Sequence, residues 1–192
     1  MLHDEGNSRG AIDMMRESLE MYRRTVGPEH PAVARALSNL GMWEVESGHY
    51  ANAEPLLRDA VQLRRKLLGD QHTDVAASLT LLATLLIDTG RYEEARQAAA
   101  EARAICLPAL GPDHRRTAAA ASAEGAALAG LGHGKDAEVL LLQGLAVLRA
   151  DEGALPFVVD NAARWTAQYY IRRGNAEEGA RYLAMVKGRK QG

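Results

Sequence analysis

The chain has 192 residues, of which 47% are hydrophobic but only 5% aromatic, and 23 basic against 25 acidic side chains leave a net charge of −2. So small a charge supplies no field to gather a phosphate backbone, which argues against nucleic acid as a partner. The single cysteine, Cys106, excludes an intrachain disulfide framework and a cysteine-based zinc site, and fits a reducing, cytoplasmic compartment. No apolar run approaches the ~18 residues of a membrane span, and the start has no signal-peptide pattern.

Much of the apolar content is alanine, which favours helices packed closely through small side chains. Two interleaved glycine series organise the chain. Gly27, Gly69, Gly111 and Gly153 recur every 42 residues, and so do Gly6, Gly48, Gly90, Gly132 and Gly174. They divide the sequence into alternating segments of about 21 residues, the mark of a repeat architecture. In chain order, the first segment predicts a lone helix over 8–26, carrying Met14, Met15 and Leu19. Pro31 then suits the first turn of a helix over 31–47, where Val33, Leu37, Leu40 and Gly41 share one face. After Gly48 comes a second helix over 50–68, with Ala53, Leu56, Leu57, Ala60 and Val61 on one stripe. The same alternation predicts helices at 73–89 and 92–110, at 115–131 and 134–151, and at 157–173 and 176–188. Strand-type alternation is absent. These segments imply an all-α superhelix of antiparallel helix pairs, about four and a half repeats long, in one domain spanning 1–192 with repeats at 31–68, 73–110, 115–151 and 157–188.

The features that invite a chemical reading have structural explanations. His30, His72 and His114 each follow a ladder glycine by three residues. Stacked repeats would hold such residues ~10 Å apart, too far to share a metal at 2.0–2.1 Å, so each is expected to bond exposed backbone at the start of a first helix. The fourth loop, EGALP, keeps Gly153 but has Pro156 in place of histidine, which suggests that the glycine sets the fold and the histidine only trims it. GLGHGKD, at 130–136, lacks the spacing, the Ser or Thr and the preceding strand of a phosphate-binding loop. Cys106 is expected to be a small buried hydrophobe. No nucleophile elbow, zinc-protease motif or calcium loop is present, so no catalytic residue, metal or cofactor is assigned.

Leu40–Gly41 and Leu82–Ala83, followed by GHYANA (48–53), GRYEEA (90–95) and GHGKDA (132–137), resemble the tetratricopeptide repeat over nearly the whole chain. The 42-residue period is similar to that of the kinesin light chain subgroup. The resemblance implies a scaffold that binds a peptide or protein in a concave groove lined by the first helices, as part of a larger regulatory protein. Family offsets place Arg35, Ser38, Asn39, Met42 and Glu46 in that groove, then Thr80, Thr84 and Asp88, then Ser122, and finally Asn161, Arg164, Trp165, Gln168 and Arg172. An aromatic or long aliphatic ligand side chain is expected against the alanine-rich third repeat, with Arg164 and Arg172 favouring an acidic partner residue. There is no asparagine ladder, since Leu81, Ala123 and Trp165 stand at the positions equivalent to Asn39. Three positions depart from the pattern. Glu124 and Thr166 replace the expected leucine, and Gly179 replaces the alanine of the second helix. Glu124 is expected to reach solvent or an arginine, because unpaired buried charge is costly. Gly6 aligns with a turn inside a repeat, so the lone helix is a second helix whose apolar side at Met14, Met15 and Leu19 is unpaired. Both ends read as cuts at repeat boundaries, or else that side assembles a homo-oligomer.

Overall fold

The computed structural model describes residues 2–186, and these form nine helices with no strand among them. They are α1 (Leu2–Thr25), α2 (Pro31–Glu46), α3 (Tyr50–Leu68), α4 (Thr73–Asp88), α5 (Tyr92–Leu110), α6 (Arg115–Gly130), α7 (Gly134–Ala150), α8 (Pro156–Arg172) and α9 (Ala176–Leu183). The all-α superhelix read from the sequence is therefore the observed fold. The last helix, expected over 176–188, ends at Leu183, and residue 188 itself lies outside the described residues.

Glycine closes each first helix in one way. The amides of Gly48 and His49 donate to the Val45 and Glu44 carbonyls at 3.0 and 2.8 Å. Gly90–Arg91, Gly132–His133 and Gly174–Asn175 repeat the pattern. This paired closure requires a left-handed residue at the glycine, and all four have φ between 75° and 86°. Gly6 departs from the series: it lies inside α1, which starts at Leu2 rather than at 8.

The loops between pairs use the second series. Gly27, Gly69 and Gly111 also have positive φ, and His30, His72 and His114 cap the helices that follow. In each, ring Nδ1 accepts a backbone N–H at 3.1 Å, from Ala32, Asp74 and Arg116 respectively. The fourth loop overturns the expectation that glycine alone sets this turn. Gly153 lacks the left-handed φ of the others. Instead, Asp151 turns the chain, its Oδ1 accepting the Gly153 amide at 2.7 Å, and α8 starts behind Leu155 with no side-chain cap.

Consecutive helices pack antiparallel in pairs, and α2, α4, α6 and α8 also pack on one another in sequence, which puts the first helices on the inner wall. The main core runs from Val45 to Tyr169 and centres on α4, where Leu85, Leu86 and Val75 are wholly or almost wholly buried. Cys106 is buried within this core, and burial pushes its thiol pKa up, as expected of an inert side chain. Glu124 is buried as well but accepts from Arg103 Nε of α5, the arginine option expected for it. At the N-terminal end the reading of an open apolar side needs correcting. Leu19 is 3% exposed, in a cluster with Ile12, Val33, Leu37 and Leu40, because α2 covers that side of α1; Met15 packs against the same cluster, while Met14 remains 70% exposed.

Candidate functional site

The inner wall holds a recess of about 190 Å³ where the C-terminal ends of α4, α6 and α8 meet. Its depth comes from the sequence of α6, RRTAAAASAEGAALAG, which presents Ala126 and Ala129 as a floor. Ile87 and Asp88 of α4 stand on one side, with Arg164, Trp165, Gln168, Tyr169 and Arg172 of α8 on the other. Tyr50 and Tyr92, at the starts of α3 and α5, close the end nearest the turns. The Tyr92 ring lies directly on Gly130: a Cβ there would come within 2.4 Å of it, so glycine is what admits the ring.

With no long side chain on α6 to intervene, α8 reaches α4 across it. Arg164 Nη2 donates to Asp88 Oδ1 at 2.8 Å and to Asn161 Oδ1 at 2.9 Å. Tyr50 Oη donates to the other Asp88 oxygen at 3.3 Å. The Asp88 side chain is only 4% exposed, so these donors are what make its burial tolerable. The Arg164 guanidinium also stands 6.0 Å from the Trp165 ring centroid. Toward α7, Tyr169 Oη donates to the Gly134 carbonyl at 2.9 Å and Tyr170 Oη to Glu138 at 2.8 Å. Burial, and then the neighbouring Glu138 charge, raise both phenol pKa values above the ordinary 10.

The residues expected in the groove are not all on its open surface. Asp88, Arg164, Trp165, Gln168 and Arg172 meet in the recess. Asn161 is buried beneath it, orienting Arg164. Arg35, Asn39 and Glu46 are exposed on α2 and Met42 is half-buried, a helix that contributes nothing to the recess. Thr80 and Thr84 turn their hydroxyls back to the Ala76 and Thr80 carbonyls at 2.9 and 3.0 Å, and Thr84 is buried. Ser38 is buried too, with its hydroxyl 2.9 Å from that of Ser78 on α4, so it fastens α2 to α4. Ser122 belongs to the wall behind: it is fully buried where α6 meets Gly144 of α7, and a Cβ on that glycine would come within 2.2 Å of Ser122 Oγ.

First-helix offsets could not find Tyr50 and Tyr92, which come from second helices, though their recurrence 42 residues apart in GHYANA and GRYEEA was a usable signal. Nor did they find Glu44, a fully buried carboxylate on α2 that accepts from Arg16 of α1 and contacts His49 Nδ1 at 2.9 Å. Its register partners Leu86, Leu128 and Tyr170 are large and mostly apolar, so the charge itself was the clue. Chemically, the recess offers aromatic walls, an internal ion pair and two further polar side chains. Its volume lies below the ~300 Å³ at which small-molecule pockets begin, and suits one side chain of a larger ligand. Among the described residues no group of three His, Cys, Asp or Glu is placed to hold a metal ion, and no helix is long and apolar enough to cross a membrane.

The profile described as Tetratricopeptide repeat matches residues 1–66, 48–107 and 74–150. Among solved structures, a protein from Podosopora anserina described as a kinesin light chain with nearly identical TPR-like repeats is 22% identical. The likeness covers 95% of this chain and 87% of that one, with a TM-score of 0.67. BtubC (BKLC) from P. vanneervenii is 18% identical over 98% of this chain and 78% of its own, with a TM-score of 0.69. At these identities the likeness concerns the fold. No curated protein matches the sequence.

Proposed function

Because the chain belongs to the tetratricopeptide repeat family, we propose that it is a noncatalytic protein-interaction scaffold whose inner wall binds a peptide, with one ligand side chain seated in the recess over α6. The observation that carries this reading is the recess itself. It is walled by Tyr50, Tyr92, Trp165 and Tyr169, floored by alanine, and edged by Gln168 and Arg172. Aromatic side chains supply large contact area with little conformational entropy to lose, and arginine adds a planar fork of donors, which is why both anchor protein interfaces. Arg164 is already engaged by Asp88, so Arg172 is the cation that favours an acidic residue beside the seated side chain. Exposed Arg35 and Asn39 extend the same wall along α2. Carriage within a larger regulatory protein fits this role.

The test is a panel of peptides selected for binding to the protein and measured against Ala129→Leu, which fills the recess, and Arg172→Glu, which reverses its rim. We expect Ala129→Leu to weaken the selected peptides about tenfold or more, and Arg172→Glu to weaken the acidic ones selectively. Affinities unmoved by both, and by Arg35→Glu, would remove the groove from the account. Self-association through α1 is the second reading. It now rests on exposed Met14 and Met21 together with half-buried Met15. A strict monomer in light scattering at high concentration eliminates it.

A further inference from the structure

The ion pair beside the recess breaks the repeat at both of its ends. At the register position of Arg164 the earlier first helices carry short side chains, Ser38, Thr80 and Ser122. At the register position of Asp88, the intervening helix α6 carries Gly130. A long cation on α8 therefore faces a carboxylate on α4 with no α6 side chain between them at that level, and the two meet at 2.8 Å. Both carboxylate oxygens are used, one by Arg164 and the other by Tyr50 Oη, and the same Arg164 nitrogen that reaches Asp88 also donates to buried Asn161. The pair is largely withdrawn from water, with the Arg164 side chain 21% exposed and that of Asp88 4%. Of the side chains lining the recess, the one other charged group is Arg172, which lies exposed at the rim. The interior is thus electrically neutral, and its positive charge stands outside.

We propose that Asp88 is a specificity determinant of this recess: by neutralising Arg164 it bars a carboxylate from the interior, so the seated side chain is uncharged and any acidic residue of the ligand stays at the rim beside Arg172. The inference rests on the recess being the binding site. A seated carboxylate would lose its water and find Arg164 already committed, with the Asp88 charge as a near neighbour. Taking Arg164 for itself would leave Asp88 buried with only the Tyr50 hydroxyl to compensate it, which is the costly half of a broken pair. A seated ammonium meets the converse obstacle, since Arg164 holds the carboxylate it would need and already stands 6.0 Å from the Trp165 ring centroid. An uncharged side chain disturbs neither partner. The site thus discriminates by what it repels, through a residue that need not touch the ligand.

The probes are end-blocked peptides selected from a library for binding to the full chain, so that only side-chain charge is read. The seated position is the one at which alanine in the peptide removes the affinity difference between the parent and Ala129→Leu. At that position Gln and Glu are compared, because they match in shape and differ in charge. The parent should bind the Gln peptide about tenfold or more tightly than the Glu peptide, a measurement that needs no variant. Asp88→Asn keeps the shape and an acceptor for Arg164 but frees its charge, and should bring the two peptides to parity or invert the preference. Adding Arg164→Met to Asp88→Asn should restore the preference for Gln. The proposal is overturned if the parent binds both peptides equally, if Asp88→Asn leaves their ratio unchanged, or if the double variant keeps the gain for Glu. Peptides whose affinity is indifferent to Ala129→Leu would remove the recess as the binding site, and this inference with it.

Discussion

The second helix pair and the stretch from α6 to α8 reach the same architecture by opposite means. In α4, TDVAASLTLLATLLID, bulk fills the space between helices, and Leu85, Leu86 and Val75 are almost wholly buried. In α6, alanine and glycine let the neighbours come to it. Leu140 and Leu141 press on Gly125, the Tyr92 ring covers Gly130, and Ser122 meets Gly144 of α7. The first solution leaves the inner wall filled. The second leaves a floor of alanine methyls, over which Arg164 reaches Asp88 and a recess remains. In a solenoid each repeat touches only its neighbours, so one repeat can be thinned without loss of the array. The recess thus lies where the sequence is plainest.

The contrast can be broken most forcefully in α4. Leu86→Ala removes a side chain that is 2% exposed from a site its neighbours cannot collapse upon, and should cost about 2–5 kcal/mol in denaturant unfolding. Around α6 the damaging change runs the other way. Gly144→Val would set a Cβ 2.7 Å from the Ala118 carbonyl, and should cost about 1–3 kcal/mol by the same measurement. The loops sharpen the comparison further. Gly69, at φ 85°, leads into α4, and its replacement by Ala should cost about 1–3 kcal/mol. Gly153 leads into α8 without positive φ, and Gly153→Ala should cost less, under about 1 kcal/mol, since the added Cβ meets only side-chain tips, Arg115 Nη1 at 2.7 Å and Asp151 Oδ1 at 3.1 Å.

The smallest effect is one of pH. The Tyr170 phenol is raised by burial and by Glu138, so an unfolded chain releases this proton near pH 10 while the folded one still holds it. That contribution to stability is complete below pH 10 and is lost as pH rises through the folded value. Thermal melts of Tyr170→Phe should therefore show a shallower decline above pH 10 than the parent.

Helix order, pairing and turn chemistry were legible in the sequence because they repeat, and a period reports any feature that every repeat needs. Gly48, Gly90, Gly132 and Gly174 close their helices identically for that reason. What differs between repeats was not legible in the same way. Offsets placed Ser38, Thr84 and Ser122 on the groove, yet each is buried, since a helix facing three neighbours has little open surface. The groove offsets cover first-helix positions alone, so Tyr50 and Tyr92 escaped them. Gly6 and Gly153 kept the spacing and lost the conformation, one inside a helix and the other relieved by Asp151.

The central claim is that the thinned repeat makes the binding surface. Peptides selected from a display library should be measured by titration against Ala129→Leu on the inner wall and Gln143→Arg on the exposed face of α7. The account predicts about a tenfold loss or more with the first substitution and unchanged affinity with the second. Equal binding to Ala129→Leu and the parent, with loss at Gln143→Arg, would contradict it and move the site to the outer helices.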